Sequence, residues 1–276
     1  MNSAANTPRS VADLRFFDPR GEIRHGSNRL PHWDQAGATY FLTFRLADSI
    51  AQERLDAWGR DREAWLRRLP PPYSVDHQHE YNEQFTRQIE RWLDQGSGSC
   101  ALRAGGLRET VAEALHHFEG SRTRMLQFVI MPNHVHTLFS IRPPHRIEAV
   151  VKSWKGFTAR RVNELRGAKG GFWMRDYFDR LIRDSDHFWR CARYIRSNPQ
   201  RGRLTPEEFT LFEVPWIKHA LDAERSGGFP AAESGAAAES SSLSEIPSPA
   251  AGKPPLRDEA LRHQLREGTA VRTPQR

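Results

Sequence analysis

The sequence predicts an α+β protein, and three observations carry the prediction. A β-branched and aromatic run over 38–46 reads as a strand. Two apolar runs, 125–131 and 134–141, are parted only by Pro132-Asn133 and read as a hairpin. The stretches around them carry helical rather than alternating periodicity, giving the order strand, helices, strand, strand, helix, strand, helix. A chain of 276 residues holds one large domain or two small ones. Its hydrophobic fraction of 38% and mean hydropathy of −0.71 leave part of it outside any core. No internal repeat is evident.

Each element has its own signal. Residues 1–35 are polar and rich in turn formers, an irregular N-terminal arm. From 50 to 69 the pattern turns helical, with Leu55, Trp58, Trp65 and Leu66 set among arginines, and Pro70-Pro71-Pro72 ends it. Further helices are expected near 78–95 and 107–119, on either side of Gly96-Ser97-Gly98-Ser99. After the hairpin, Pro143-Pro144 punctuates the chain. A basic amphipathic helix follows over 146–166, with Ile147, Val150, Val151, Trp154, Phe157, Val162 and Leu165 as its apolar positions. A glycine-rich loop spans 167–171, an extended stretch 172–182 and a helix 185–197. From 226 to 276 the composition collapses into Ala, Ser, Gly, Pro and Glu, which predicts a disordered tail with at most a short helix near 256–266. The expected domain is therefore 36–225, with a helical insertion at about 50–120.

Net charge and cysteine count narrow the class. A charge of +7 and a pI near 9.8 favour polyanionic partners, nucleic acid ahead of an acidic membrane. No run of 18 apolar residues is present, and the N-terminus lacks a charged region followed by an apolar one. Cys100 and Cys191 make neither a disulfide framework nor a cysteine zinc site. A soluble, cytoplasmic protein without a membrane partner is expected.

The chemistry centres on Met131-Pro132-Asn133-His134-Val135-His136. On a strand, His134 and His136 share one face while Val135, Phe139 and Ile141 point to the other. Their backbones then stand roughly 6.5–7 Å apart, within reach of one metal ion. A pair of surface or satisfied histidines has the same spacing, so the pattern alone leaves both readings open. His77-Gln78-His79 repeats it without an apolar strand beneath, and reads as solvated surface. On the 185–197 helix, Phe188, Cys191, Ala192 and Ile195 form an apolar stripe, and Tyr194 lies about 120° from its centre. Asn198 follows one turn later, and Pro199 should end the helix there. Tyr194 is either a half-exposed helical tyrosine or a reactive one, and Asn198 either a helix stop or a ligand.

The blocks Met-Pro-Asn-His-Val-His, then a basic helix, then Trp173-Met174-Arg175-Asp176-Tyr177-Phe178-Asp179-Arg180, then Tyr194-Ile195-Arg196-Ser197-Asn198-Pro199, in that order, resemble the REP-associated tyrosine transposases. These are the domesticated branch of the single-tyrosine HUH transposases of small bacterial insertion sequences. The resemblance is close over about 124–203 and looser over the strand at 38–46. Insertion-sequence relatives usually carry glutamine four residues after the tyrosine; asparagine at 198 matches the REP-associated branch. The resemblance implies a ferredoxin-like, RRM-like palm, an antiparallel sheet with helices on one face and the histidine pair on a central strand.

The resemblance also implies a site. His134, His136 and the Asn198 amide oxygen would hold a divalent metal, Mg²⁺ or Mn²⁺, and Tyr194 would attack the scissile phosphate to give a 5′-phosphotyrosine and a free 3′-hydroxyl. The implied partner is single-stranded DNA with a hairpin, such as a REP-like palindrome. Between 146 and 203, 15 lysines and arginines stand against six acids, about +9. From these, Lys152, Lys155, Arg160, Arg175, Arg193 and Arg196 are the expected DNA contacts. Two rivals remain at this stage: a non-catalytic binder of a DNA or RNA hairpin with the same fold, and a hydrolytic nuclease in which Tyr194 is structural. Monomer and homodimer are both open.

Overall fold

The computed structural model describes residues 8–25, 33–69 and 75–225. Two-residue strands β1 (Arg24–His25) and β2 (Trp33–Asp34) pair with each other ahead of the main sheet. Then follow β3 (Thr39–Arg45), α1 (Gln52–Arg68), α2 (Val75–Tyr81), α3 (Arg87–Asp94) and α4 (Gly105–His116). β4 (Thr123–Ile130) and β5 (His134–Ile141) form the hairpin, closed by the Met131 N–H donating to the His134 carbonyl at 2.9 Å. The chain continues through α5 (Ile147–Arg166), β6 (Phe178–Leu181), α6 (Ser185–Arg201), β7 (Thr210–Glu213) and α7 (Pro215–Arg225). The five-stranded sheet runs β6-β3-β5-β4-β7 with every pair antiparallel. The α+β class is as expected, and β5 is the middle strand.

Alternation along the strands builds two cores. Tyr40, Leu42, Phe44, Val135, Phe139 and Ile141 face α4 and α5, packing with Leu115, Val150 and Trp154. Phe41, Val129 and Leu138 face the other way, against Phe188, Cys191 and Ile195 of α6 and Ile217 and Leu221 of α7. The expected helical layer on one face is thus α4 and α5, and α6 with α7 adds a second layer on the other. This is why β4 and β5 read as near-continuous apolar runs: all of β4 and nearly all of β5 is buried. Helices α1, α2 and α3 carry two smaller clusters of their own, one around Ile50, Ile89 and Leu93, the other around Trp65, Tyr81 and Phe85.

Several elements differ from expectation. The helix near 78–95 is broken into α2 and α3 by a π-turn at Asn82–Thr86, and His77-Gln78-His79 falls in α2. The extended stretch 172–182 is β6 plus a bridge between Leu46 and Trp173. Phe157 and Leu165, counted as apolar positions of α5, are exposed. Helix α6 does not stop before Pro199 but runs on to Arg201. Proline removes one donor, yet the Gly202 N–H donates to the Asn198 carbonyl at 3.0 Å and the Leu204 N–H to the Pro199 carbonyl at 2.9 Å, so the last turn survives. β7 and α7 had no sequence assignment, the strand being only four residues long. The expected tail 226–276, its short helix, the Pro70-Pro71-Pro72 break and residues 1–7 and 26–32 of the arm lie outside the described residues.

Phe139 packs its ring 6.0 Å from that of Tyr40 and 5.1 Å from that of Trp154, at the centre of the larger core. Phe139→Ala should cost about 3–5 kcal/mol in urea unfolding; a loss under about 1 kcal/mol would show that this core is not what holds the sheet to α5.

Candidate active site

Strand β5 brings His134 and His136 to the face covered by α6. Their rings lie 4.6 Å apart, centroid to centroid, and both side chains are buried. Each Nδ1 has a partner. On His134 it meets Asn133 Oδ1 at 2.7 Å; on His136 it meets Thr43 Oγ1 at 2.7 Å, across the β3–β5 pairing that sets Thr43 opposite His136. Asn133 Nδ2 donates to the carbonyls of Leu93 and Ser97, so its oxygen is the atom that faces the ring. An amide oxygen only accepts, so His134 Nδ1 carries the proton and Nε2 presents a lone pair, the tautomer a metal ligand needs.

Helix α6 supplies the opposing wall. The Asp184 carboxylate caps it by accepting from the His187 N–H at 2.7 Å, and Gln127 Nε2 donates to the Ala192 carbonyl at 3.1 Å, tying the helix to β4. Tyr194 stands edge-on to His136 at 5.1 Å and to Phe41 at 6.1 Å. It is 4% exposed, so it is buried rather than half-exposed: the sheet meets α6 over an arc wider than its apolar stripe. Asn198, also buried, lies beside both His134 and Tyr194. The structure therefore brings His134, His136, Tyr194 and Asn198 together.

Burial sets the protonation of these groups. It holds His134 down to about 3 and His136 well below the ordinary imidazole value, with the nearby cationic Arg201 and Arg180 adding to the effect on His136. Burial likewise pushes the Tyr194 phenol well above its usual value, helped by Glu90 and Asp94 and opposed by Arg201. None of His134 Nε2, His136 Nε2 or the two amide atoms of Asn198 makes a hydrogen bond of good geometry with a described residue, and Asn198 only approaches His134 and Tyr194. A buried polar atom left unpaired costs about 1–3 kcal/mol. Two neutral imidazoles and an amide oxygen, clustered and unpaired, fit a divalent cation with open positions for phosphate oxygens. Among the described residues no group of three His, Cys, Asp or Glu side chains could close a metal site.

The six expected DNA contacts are scattered. Lys152 and Arg160 line a 720 Å³ cleft between α4 and α5, on the far side of the sheet from the histidines. Lys155 donates to the carbonyls of Met174 and Arg175, each at 2.7 Å, and burial lowers its pKa to about 8. Arg193 is bidentate to Glu224, and Arg196 is paired with Glu213 and Asp222. Arg175 is exposed. Sequence reasoning passed over Arg201, whose guanidinium carbon lies 5.1 Å from the Tyr194 ring centre. It stands seven residues after Tyr194, two helical turns on, and would have been legible had the helix been continued through Pro199.

A histidine pair on a central strand thus faces a helix that carries tyrosine and asparagine. Residues 102–198 match the family model described as "Transposase IS200 like", a stretch that contains both histidines and Tyr194 and ends on Asn198. Over that stretch, about a third of the chain, the sequence is similar to the IS200-like transposases, in agreement with the resemblance read from the motif blocks. Among solved structures the chain is similar to one described as a REP-associated tyrosine transposase bound to a REP hairpin, with 14% identity over 74% of this chain and 89% of that one, at a TM-score of 0.37. It is also similar to a protein described as a transposase from Deinococcus radiodurans R1, with 16% identity over 59% and 92% of the two chains, at a TM-score of 0.26. No curated protein matches the sequence. Among the described residues no helix is long and apolar enough to cross a membrane.

The buried histidines make stability depend on pH in a fixed direction. His187 is also held to about 3 by burial, like His134. Above the unfolded imidazole value near 6.5 neither state carries the proton, so nothing is lost. Below it the unfolded chain takes up protons the folded chain refuses, and stability falls toward pH 3 at about 1.4 kcal/mol per histidine per pH unit. Thermal unfolding of the metal-free protein should therefore shift steeply downward between pH 6.5 and 4.5, and less steeply in His187→Gln; equal slopes in the two would refute the assignment.

Proposed function

We propose that this protein is a DNA single-strand endonuclease and strand transferase of the HUH single-tyrosine type, in its REP-associated branch. It cuts single-stranded DNA near a hairpin, such as a REP-like palindrome, and holds the cut end as a 5′-phosphotyrosine. One observation carries the reading: the unpaired Nε2 atoms of His134 and His136 and the unpaired Asn198 amide gather beside the ring of Tyr194. The hairpin and the branch rest on the motif resemblance, and on asparagine at 198.

His134, His136 and Asn198 would hold the metal; Mg²⁺ or Mn²⁺ there would polarise the scissile phosphate and offset its charge. Asn133 and Thr43 keep the two rings turned with Nε2 toward the site. Tyr194 is neutral at rest, so it must give up its phenolic proton as its oxygen bonds to phosphorus. The bond from phosphorus to the 3′ oxygen breaks, and that oxygen leaves as a hydroxyl after taking a proton. One phosphodiester replaces another, so attack by a later 3′-hydroxyl on the phosphotyrosine restores the tyrosine and joins strands. Helix α6 seats Tyr194 against the sheet and so limits its ring to a narrow range of approach. Of the six cations assigned to DNA, the exposed Lys152, Arg160 and Arg175 are those proposed to meet phosphates, because Lys155, Arg193 and Arg196 hold internal partners.

A hairpin-binding protein without cleavage is the rival. An RRM-like platform binds on an open sheet face, whereas here α4 and α5 cover one face and α6 and α7 the other. A binder also gains nothing from burying unpaired imidazoles. Incubation with labelled single-stranded hairpin DNA and Mn²⁺, followed by denaturing electrophoresis, should give a covalent protein–DNA adduct. The adduct should vanish in Tyr194→Phe, and His136→Ala should slow its formation by about 10²-fold or more. Cleavage that survives Tyr194→Phe would overturn the reading in favour of a hydrolytic nuclease, and binding without cleavage in any divalent metal would favour the rival.

A further inference from the structure

Helix α3 lies outside the matched stretch 102–198, yet it reaches both halves of the site. Ile89 and Leu93 bury its inner face against Ile50. At its last turn and the loop behind it, the carbonyls of Leu93 and Ser97 accept from Asn133 Nδ2 at 3.2 and 3.3 Å. Those two acceptors decide which end of the amide turns to His134. Rotated the other way, the amide oxygen would face two carbonyls, and His134 would lose the acceptor that fixes its tautomer.

One residue on, the Asp94 carboxylate stands 3.5 Å from Arg201 Nη2, and Arg201 lies over the face of the Tyr194 ring. The carboxylate is the more fixed partner, its side chain 16% exposed against 43% for the arginine. A guanidinium over an aromatic face is attracted to it and narrows the ring's motion. Arg201 reaches that ring only because α6 continues past Pro199. Glu90, one turn before Asp94 on α3, adds a second carboxylate near Tyr194.

We propose that the C-terminal end of α3 positions both halves of the active site. Leu93 and Ser97 hold His134 through Asn133, and Asp94 holds Arg201 over Tyr194. This gives the 50–120 segment a role, with Asn133, Asp94 and Arg201 as positioning residues. The inference rests on the strand-transfer reading for its activity arm, and its structural arm uses no DNA.

The full chain labelled with 3-fluorotyrosine contains five tyrosines, and the fluorine resonance of Tyr194 is assigned by its loss in Tyr194→Phe. Asp94→Ala and Arg201→Gln should each shift and broaden that resonance alone. Asp94→Ala should add nothing in the Arg201→Gln background, and Arg201→Lys should restore part of the signal. With hairpin DNA, Asp94→Ala should lower kcat for adduct formation while KM for DNA is unchanged. On the metal side, Asn133→Asp keeps an acceptor for His134 and loses the donor to α3, and should weaken Mn²⁺ binding by about tenfold. A Tyr194 resonance unmoved in both Asp94→Ala and Arg201→Gln overturns the tyrosine half, and wild-type Mn²⁺ affinity in Asn133→Asp overturns the histidine half. If the resonance moves as expected but the wild type forms no adduct, the positioning stands and the strand-transfer reading falls.

Discussion

The register between β3 and β5 is the constraint on which the rest depends. Side chains alternate across a strand, so the pairing of Thr43 with His136 fixes at once which residues enter the larger core and which face α6. Val135 and Phe139 go one way and the histidines the other. A slip of one residue would place both imidazoles among Trp154 and Phe44 and turn Phe139 toward Tyr194. Burial on both faces makes that slip prohibitively costly, and the site inherits its precision from the packing of the core rather than from contacts among its own polar groups.

That inheritance explains how the fold tolerates a poorly satisfied cluster. Unpaired imidazole nitrogens and an unpaired amide oppose folding, as does a phenol kept from water. Two apolar layers, one on each side of the sheet, offset them. The same burial keeps the imidazoles neutral, so their lone pairs are available without a proton first having to leave. The cost to stability and the availability of those lone pairs have one physical origin.

Much of this was legible in the sequence because it is local. Strand alternation, the Pro132-Asn133 turn and the spacing of Tyr194 and Asn198 are properties of adjacent residues, and the motif order carried the family resemblance. What could not be read depends on residues distant in sequence. Thr43 has no distinguishing mark until its register with His136 is known, and Asn133 looked like a turn residue until Leu93 and Ser97 were found against it. Arg193 and Arg196 counted toward a basic surface, but their carboxylate partners lie on β7 and α7, elements too short or too weakly patterned to predict. Proline was read as a helix terminator because the rule concerns an isolated helix, whereas the packing of α6 against the sheet carries it one turn further.

The contact between Thr43 and His136 spans 93 residues, and Tyr194 joins them from still later in the chain. A ribosome that has released the chain only as far as β6 has made both histidines but not Tyr194. Helix α6 must emerge and dock before the histidines, Tyr194 and Asn198 meet. Under the strand-transfer reading proposed above, the order of synthesis is a safeguard: half-made and prematurely ended chains would carry the histidines without Tyr194.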